Sequence, residues 1–127
     1  MKPLAFVLLL LASTTTWASW SVIGRTGNAD VYVDGATIRQ QDTLVKMWSL
    51  MDFKTIQRAA EGPYLSQKTQ QEFDCAGERY RTLSASFHSG HMGTGTVIFS
   101  SDEPEEAWEP VAPGSVGEGF WQIACGK

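Results

Sequence analysis

The chain has 127 residues, 43% hydrophobic, 19% charged and 11% aromatic. That balance excludes a disordered tract and a multi-span membrane bundle, and it leaves a single globular domain. Ten Lys and Arg against fourteen Asp and Glu give a net charge of -4, which argues against nucleic acid as a partner held by bulk attraction to phosphates.

The N-terminus carries the strongest local signal. Lys2 is the only charge ahead of an apolar run over residues 4–12 (LAFVLLLLA), which passes into Ser13-Thr-Thr-Thr16 and then Trp17-Ala18-Ser19. This order of basic, apolar, and small or polar residues predicts a secretory signal peptide over residues 1–18, cleaved between Ala18 and Ser19. The apolar run is far shorter than the ~20 residues a bilayer-crossing helix needs, and no second long run follows. Cleavage leaves a domain over residues 19–127 with nine basic and fourteen acidic side chains, a net charge of -5. No Cys lies beside the expected cut, so the mature form is expected to carry no lipid and no membrane anchor, and to reside in the periplasm or be secreted.

From Trp20 onward, short β-rich runs alternate with turn residues at a spacing that predicts an antiparallel sheet rather than βαβ units. Residues 20–25 (WSVIGR) read as a first strand, stopped by Thr26-Gly27-Asn28, where Gly and Asn tolerate positive φ. Residues 30–38 (DVYVDGATI) read as a strand interrupted at Asp34-Gly35. A tight hairpin and a bulge both fit, and the short flanking arms favour the bulge. Residues 44–53 (LVKMWSLMDF) set Leu44, Lys46, Trp48 and Leu50 against Val45, Met47, Ser49 and Met51. Both faces are largely apolar, which predicts a central strand. Residues 54–62 (KTIQRAAEG) read as one helical turn or a loop before Pro63. Residues 66–75 (SQKTQQEFDC) put Phe73 and Cys75 on one face, so the thiol points where Phe73 packs.

Residues 79–88 (RYRTLSASFH) separate into Leu83, Ala85 and Phe87 on one side and Tyr80, Thr82, Ser84 and Ser86 on the other, the pattern of a half-buried strand. A loop over residues 89–93 leads to a returning strand over 94–100 (TGTVIFS), and residues 102–106 (DEPEE) read as an exposed acidic loop. In the tail the period changes. Ser115 and Glu118 fit a capping box, and Val116, Phe120, Ile123 and Ala124 share a helical face, so a short helix ending at Gly126 is expected. Gly117 and Gly119 each cost that helix roughly 1 kcal/mol relative to Ala, so packing on the sheet must hold it.

Cys75 and Cys125 are the two cysteines. In an exported chain a lone pair has one intramolecular connectivity, so a disulfide between them is expected. Its closed loop is worth about 4 kcal/mol in the chain-entropy account. A reactive thiol is disfavoured, because neither Cys lies in a C-x-x-C pair or beside a base. On an ideal helix Cys125 lies about 140° round from Phe120. Either the last turn opens, or the helix buries a wider arc that includes Trp121. The fold read from the residues is α+β, a single antiparallel sheet with a short C-terminal helix packed on it and pinned by one disulfide.

The chemistry-bearing residues form no catalytic or metal pattern. His88 and His91 flank a loop and read as solvent-facing, since a zinc site wants three or four ligands and no other His occurs. No G-x-S-x-G elbow supports hydrolysis. The acidic loop lacks the spacing and turn glycine of a calcium site and reads as solvated. Arg58, Arg79 and Arg81 are able to anchor a carboxylate on a partner; the plainer reading pairs such arginines locally, with Asp74 or Glu78. Trp20, Trp48, Trp108 and Trp121 are many for this length and suit either core packing or an interface, with Trp20 and Trp108 expected to be the more exposed. No cofactor is implied.

The succession Val31-Tyr-Val-Asp34, Val45-Lys-Met-Trp48, Tyr64-Leu-Ser66, Glu72-Phe-Asp-Cys75, Arg79-Tyr-Arg81, Trp108-Glu-Pro-Val111, Pro113-Gly-Ser115 and Trp121 to Cys125 resembles the surface-adhesin protein E family of Gram-negative bacteria over nearly the whole mature chain. The resemblance implies about six antiparallel strands with a C-terminal helix, a non-enzymatic protein that binds host extracellular-matrix or serum proteins, and a capacity to dimerise. It implies no particular binding residues here. A soluble periplasmic accessory or small-ligand-binding protein is the alternative, since the lipid-bearing Cys is absent.

Overall fold

The structure, a computed structural model, describes residues 19–127; the expected signal peptide lies outside the described residues. Seven strands form one antiparallel sheet: β1 (Trp20–Arg25), β2 (Ala29–Gln41), β3 (Leu44–Ala59), β4 (Gly62–Asp74), β5 (Arg79–His88), β6 (Val97–Ser101) and the two-residue β7 (Glu109–Pro110). The first six are adjacent in chain order, and β7 pairs with the start of β5. A 3-10 turn (His91–Gly93) precedes β6, and α1 (Val116–Cys125) closes the chain. Each connection from β1 through β6 joins neighbouring antiparallel strands, as the spacing of turn residues requires.

Register shifts occur in all five pairings from β1 to β6, and those in β2, β3 and β5 bear on the residues read from the sequence. In β2 the pairing with β3 shifts between Asp34 and Arg39, which is the bulge expected at Asp34-Gly35. Thr37 Oγ takes over the local bonding there: it accepts from Trp48 N–H at 3.0 Å and donates to the Asp34 carbonyl at 2.6 Å. Residues 54–62, expected as a helical turn or loop, instead continue β3 and turn directly into β4, with Gln57 opposite Tyr64 and Ala59 opposite Gly62. Gly62 at φ 139 supplies backbone that side-chain-bearing residues rarely adopt, and hairpin pairing overrides the helical propensity of Arg58-Ala-Ala60. In β5, Gln70 faces Ser84 while the next residue, Gln71, faces Thr82, so Leu83 is an extra, bulged residue. This overturns the expected grouping of Leu83 with Ala85 and Phe87. An inserted residue exchanges the two faces on one side of it, so Tyr80 and Thr82 share a face with Ala85 and Phe87.

One face of the sheet holds the main core. Val31, Val33, Val45, Met47 and Phe73 pack against Phe120, Trp121 and Ala124 of α1. Ser115 caps α1 by accepting from Glu118 N–H at 3.1 Å, and Glu118 Oε1 accepts from Gly114 N–H at 3.3 Å. Gly126, at φ 68, ends it. Gly117 lies against the Tyr80 ring, 3.2 Å from where a Cβ would stand, which explains a residue with poor helix propensity at that position. The Cys75–Cys125 disulfide joins the end of β4 to the last turn, with Cα atoms 5.6 Å apart. The helix meets this constraint by burying a wide arc through Phe120, Trp121 and Ala124. Ile123, expected to face inward, is 43% exposed, because it lies about 60° outside that arc on the side away from Cys125.

Candidate binding surface

The sheet face opposite α1 carries most of the residues singled out in the sequence. Cross-strand register places Trp20 opposite Asp34, Asp34 opposite Trp48, Trp48 opposite Gln70 and Gln70 opposite Ser84. Side chains directly opposite share a face, so these five form one row across β1 to β5. Trp48 stands between two depressions. One, of about 240 Å³, is lined by Trp20, Asp34, Thr37, Trp48 and Lys68. The other, of about 470 Å³, takes in Lys46, Gln70, Glu72, Arg81 and Asp102. Trp20, Trp48 and Trp108 are all half-buried, and of the four Trp121 alone is in the core.

The next rows toward the disulfide are charged. Lys46, Glu72 and Arg81 align across β3 to β5, followed by Leu44, Asp74 and Arg79. Arg81 donates twice to Glu72 Oε1, at 2.8 and 3.1 Å, and Arg79 donates to Asp74 Oδ2 at 2.9 Å. The local-pairing reading of these arginines therefore holds for Asp74, with Glu72 in the role expected of Glu78. Arg58 lies exposed at the far end of β3, away from both. Both guanidinium groups also lie against the Trp108 ring, 4.6 Å from Arg79 and 4.5 Å from Arg81 to its centroid, within the range of a cation–π contact. The Arg79 side chain, together with the N–H groups of Gly77 and Ala76, holds the Asp74 carboxyl below the usual carboxylate range.

Trp108 reaches this position because the irregular segment between β6 and β7 follows the edge of β5. Glu105 N–H donates to the Thr82 carbonyl at 2.8 Å, and Val111 N–H donates to that of Glu78 at 3.0 Å. The acidic residues of 102–106 are exposed, as expected, and no group of three or more His, Cys, Asp or Glu suited to a metal occurs among the described residues.

The other end of this face is covered by the loop before β6. Ser66 Oγ donates to the Gly90 carbonyl at 2.6 Å and accepts from Gly93 N–H at 2.8 Å. Asp52 Oδ1 accepts from Met92 N–H at 2.9 Å and bonds His91 Nδ1 at 3.0 Å. Gly93, at φ 72, lies so close to Lys68 that a Cβ would stand 2.6 Å from its Cε. The reading of two solvent-facing histidines holds only for His91. His88 is buried, with Nε2 2.8 Å from Ser86 Oγ; burial, and secondarily the charge of Lys68, pushes its pKa down. No carboxylate bonds the other ring nitrogen among the described residues, so this Ser–His contact lacks the orienting acid of a nucleophile–base pair.

On the helix side, α1 covers only part of the sheet. Beside it lies a depression of about 390 Å³ with Ser49, Thr69, Gln71, Thr82 and Glu105 among its walls. Beyond that, Phe53, Tyr64, Phe87 and Phe99 form a chain of ring contacts.

The surface-adhesin protein E family model matches residues 20–126, almost all of the described chain. The chain belongs to the surface-adhesin protein E family. Solved structures of Haemophilus influenzae protein E share the fold. Its crystal form II superposes with a TM-score of 0.66 at 13% identity, covering 89% of this chain and 91% of that one. A second structure of the same protein gives 0.64 at 14% identity, covering 89% and 88%. Protein E from non-typeable Haemophilus influenzae gives 0.62 at 15% identity, covering 89% and 79%. No curated protein matches the sequence. The family is one of surface adhesins, and no helix among the described residues is long and apolar enough to cross a membrane. The residues that sequence reasoning missed are Asp34, Thr37, Lys46 and Gln70. Only the Asp34-Gly35 break signalled any of them, since the others become neighbours of the tryptophans through register alone.

Proposed function

We propose that this member of the surface-adhesin protein E family is an exported, non-enzymatic binding module. On this reading the sheet face opposite α1 contacts a protein partner, either a host matrix protein or a protein of the bacterial envelope. The observation that carries it is the Trp20–Asp34–Trp48–Gln70–Ser84 row, flanked by depressions and by Trp108 under two arginines. Large, rigid aromatic side chains beside satisfied charges are what interfaces concentrate their binding energy on. Because Arg79 and Arg81 are already paired, their contribution is to orient Trp108 rather than to capture an anion.

The test is binding of the mature protein to immobilised extracellular-matrix and serum proteins and to envelope extracts by interferometry. Trp48→Ala is expected to weaken saturable binding by tenfold or more, and Ile123→Ala on the exposed side of α1 to leave it unchanged. Equal affinities for the two variants exclude this face. Sedimentation of the same variants reports whether self-association uses it as well. A second reading, a small-ligand-binding accessory of the periplasm, is favoured by the depression beside α1, with its mixed polar and apolar wall. Thr69→Trp on its floor blocks a small ligand there and spares a partner bound to the opposite face.

A further inference from the structure

The Ser19 backbone nitrogen lies 3.2 Å from Asp34 Oδ2, and Asp34 is 5% exposed. We infer that removal of the leader places the newly formed α-ammonium group of Ser19 on the Asp34 carboxylate, so that processing itself completes an ion pair at the head of the first strand. The inference rests on cleavage at the Ala18–Ser19 bond and not on any partner for the folded domain.

Hydrolysis of that bond by a leader peptidase consumes one water and yields an Ala18 carboxylate and a Ser19 amine, which is protonated at neutral pH. Before cleavage Asp34 Oδ2 receives one neutral N–H from Ser19, while Oδ1 accepts from Ala36 N–H at 3.1 Å. After cleavage the same nitrogen is a cation with three donors, and a charge-assisted bond replaces a neutral one. A carboxylate so largely removed from water favours a positive partner. Among the described residues, Lys68 of β4 is the only other charged side chain lining the depression that Asp34 shares with Trp20, Thr37 and Trp48. Lys46, one row away on β3, lines the neighbouring depression beyond Trp48. Arg25 is at the far end of β1, where it pairs with Asp30 at 3.6 Å. Asp34 stands opposite Trp20 and Trp48, so the ion pair ties the chain terminus to the centre of the aromatic row.

The sign of the effect follows from linkage. A neighbouring carboxylate raises the pKa of the folded α-ammonium above its unfolded value of about 7.7–8.0. The stabilisation is fully present below that unfolded value and disappears as pH rises through the folded pKa. The experiment compares the full mature chain beginning at Ser19 with the same chain Nα-acetylated, by urea unfolding from pH 6 to pH 10. The free amine is expected to give a folding equilibrium constant roughly threefold or more higher at pH 6, with the two chains converging toward pH 10. In the Asp34→Asn variant, acetylation is expected to make no difference at pH 6. Should that variant not fold, NMR titration of the Ser19 amine in the unaltered chain decides the matter: a pKa equal to that of a Ser-Trp-Ser peptide overturns the inference. N-terminal sequencing of exported protein that begins at a residue other than Ser19 overturns it as well.

Discussion

Two side chains set how stability responds to acid. His88 is buried beside Ser86 and within reach of the charge on Lys68, and its pKa is lowered, first by burial and then by that charge. A depressed folded pKa means that the neutral ring is the one the fold accommodates. Its contribution is present above the unfolded value of about 6.5 and is lost as pH falls below it. We expect the thermal midpoint to drop between pH 7 and pH 5, and His88→Asn to remove that component; calorimetry at both pH values checks it, and an unchanged slope in the variant refutes it. Asp74 acts at lower pH. Its carboxyl, lowered chiefly by Arg79, accepts from Ala76, Gly77 and Arg79, and its carbonyl accepts from the Trp121 indole at 3.0 Å. Asp74→Ala strands those donors and is expected to cost about 2–3 kcal/mol at pH 7. The deficit shrinks as pH falls through the wild-type Asp74 pKa, which urea unfolding at pH 7 and pH 3 measures. His88 was legible as a strand-end residue, yet its burial was not, because the loop that covers this face is held by Ser66 and Asp52, more than twenty residues away in sequence.

Among the elements, α1 and the β5 bulge carry the largest consequences. The helix is ten residues long with two internal glycines, so its stability comes from the sheet and the disulfide rather than from propensity. Replacing both cysteines with Ser is expected to cost about 4 kcal/mol, and hydrogen exchange should show amides of residues 116–125 opening before those of β3. Uniform exchange across the sheet and the helix would contradict that hierarchy. Ser115→Ala, which removes the cap on the Glu118 amide, is expected to cost about 1 kcal/mol. The Leu83 bulge lets Tyr80 pack on Phe73 while Arg79 and Arg81 point to the opposite face. Deleting Leu83 forces one set onto the wrong side, and circular dichroism is expected to show no cooperative unfolding. The capping box, Gly126 and the cysteine pair were readable because each is a local or unique signal. The Leu83 bulge was not, since Leu83, Ala85 and Phe87 keep a perfect two-residue period and only pairing with β4 reveals the extra residue.

At the scale of the whole molecule, one antiparallel sheet is used on both sides for different purposes. One face buries an apolar core under α1, and the other arranges tryptophans, paired charges and a covering loop. The class of fold, an antiparallel sheet with a C-terminal helix, could be read from period-two patterns, turn residues and the change of period in the tail. The long β3–β4 hairpin could not, because residues 54–62 have helix-forming composition and owe their extended form to pairing with Gly62, Pro63 and Tyr64. The candidate site was readable only as a set of tryptophans and arginines; its assembly into rows depends on cross-strand register, of which only the Asp34-Gly35 break gave a local signal. The central claim is that the face opposite α1 is the working surface, and the four indole N–H signals of Trp20, Trp48, Trp108 and Trp121 in the mature domain test it directly. In ¹⁵N-detected titration with a partner that binds saturably, the indoles of Trp20, Trp48 and Trp108 are expected to shift while that of Trp121, bonded inside the core to Asp74, stays in place. Saturable binding that leaves all three unmoved, and shifts instead the amides around Ser49, Thr69 and Gly117 beside the helix, would contradict it.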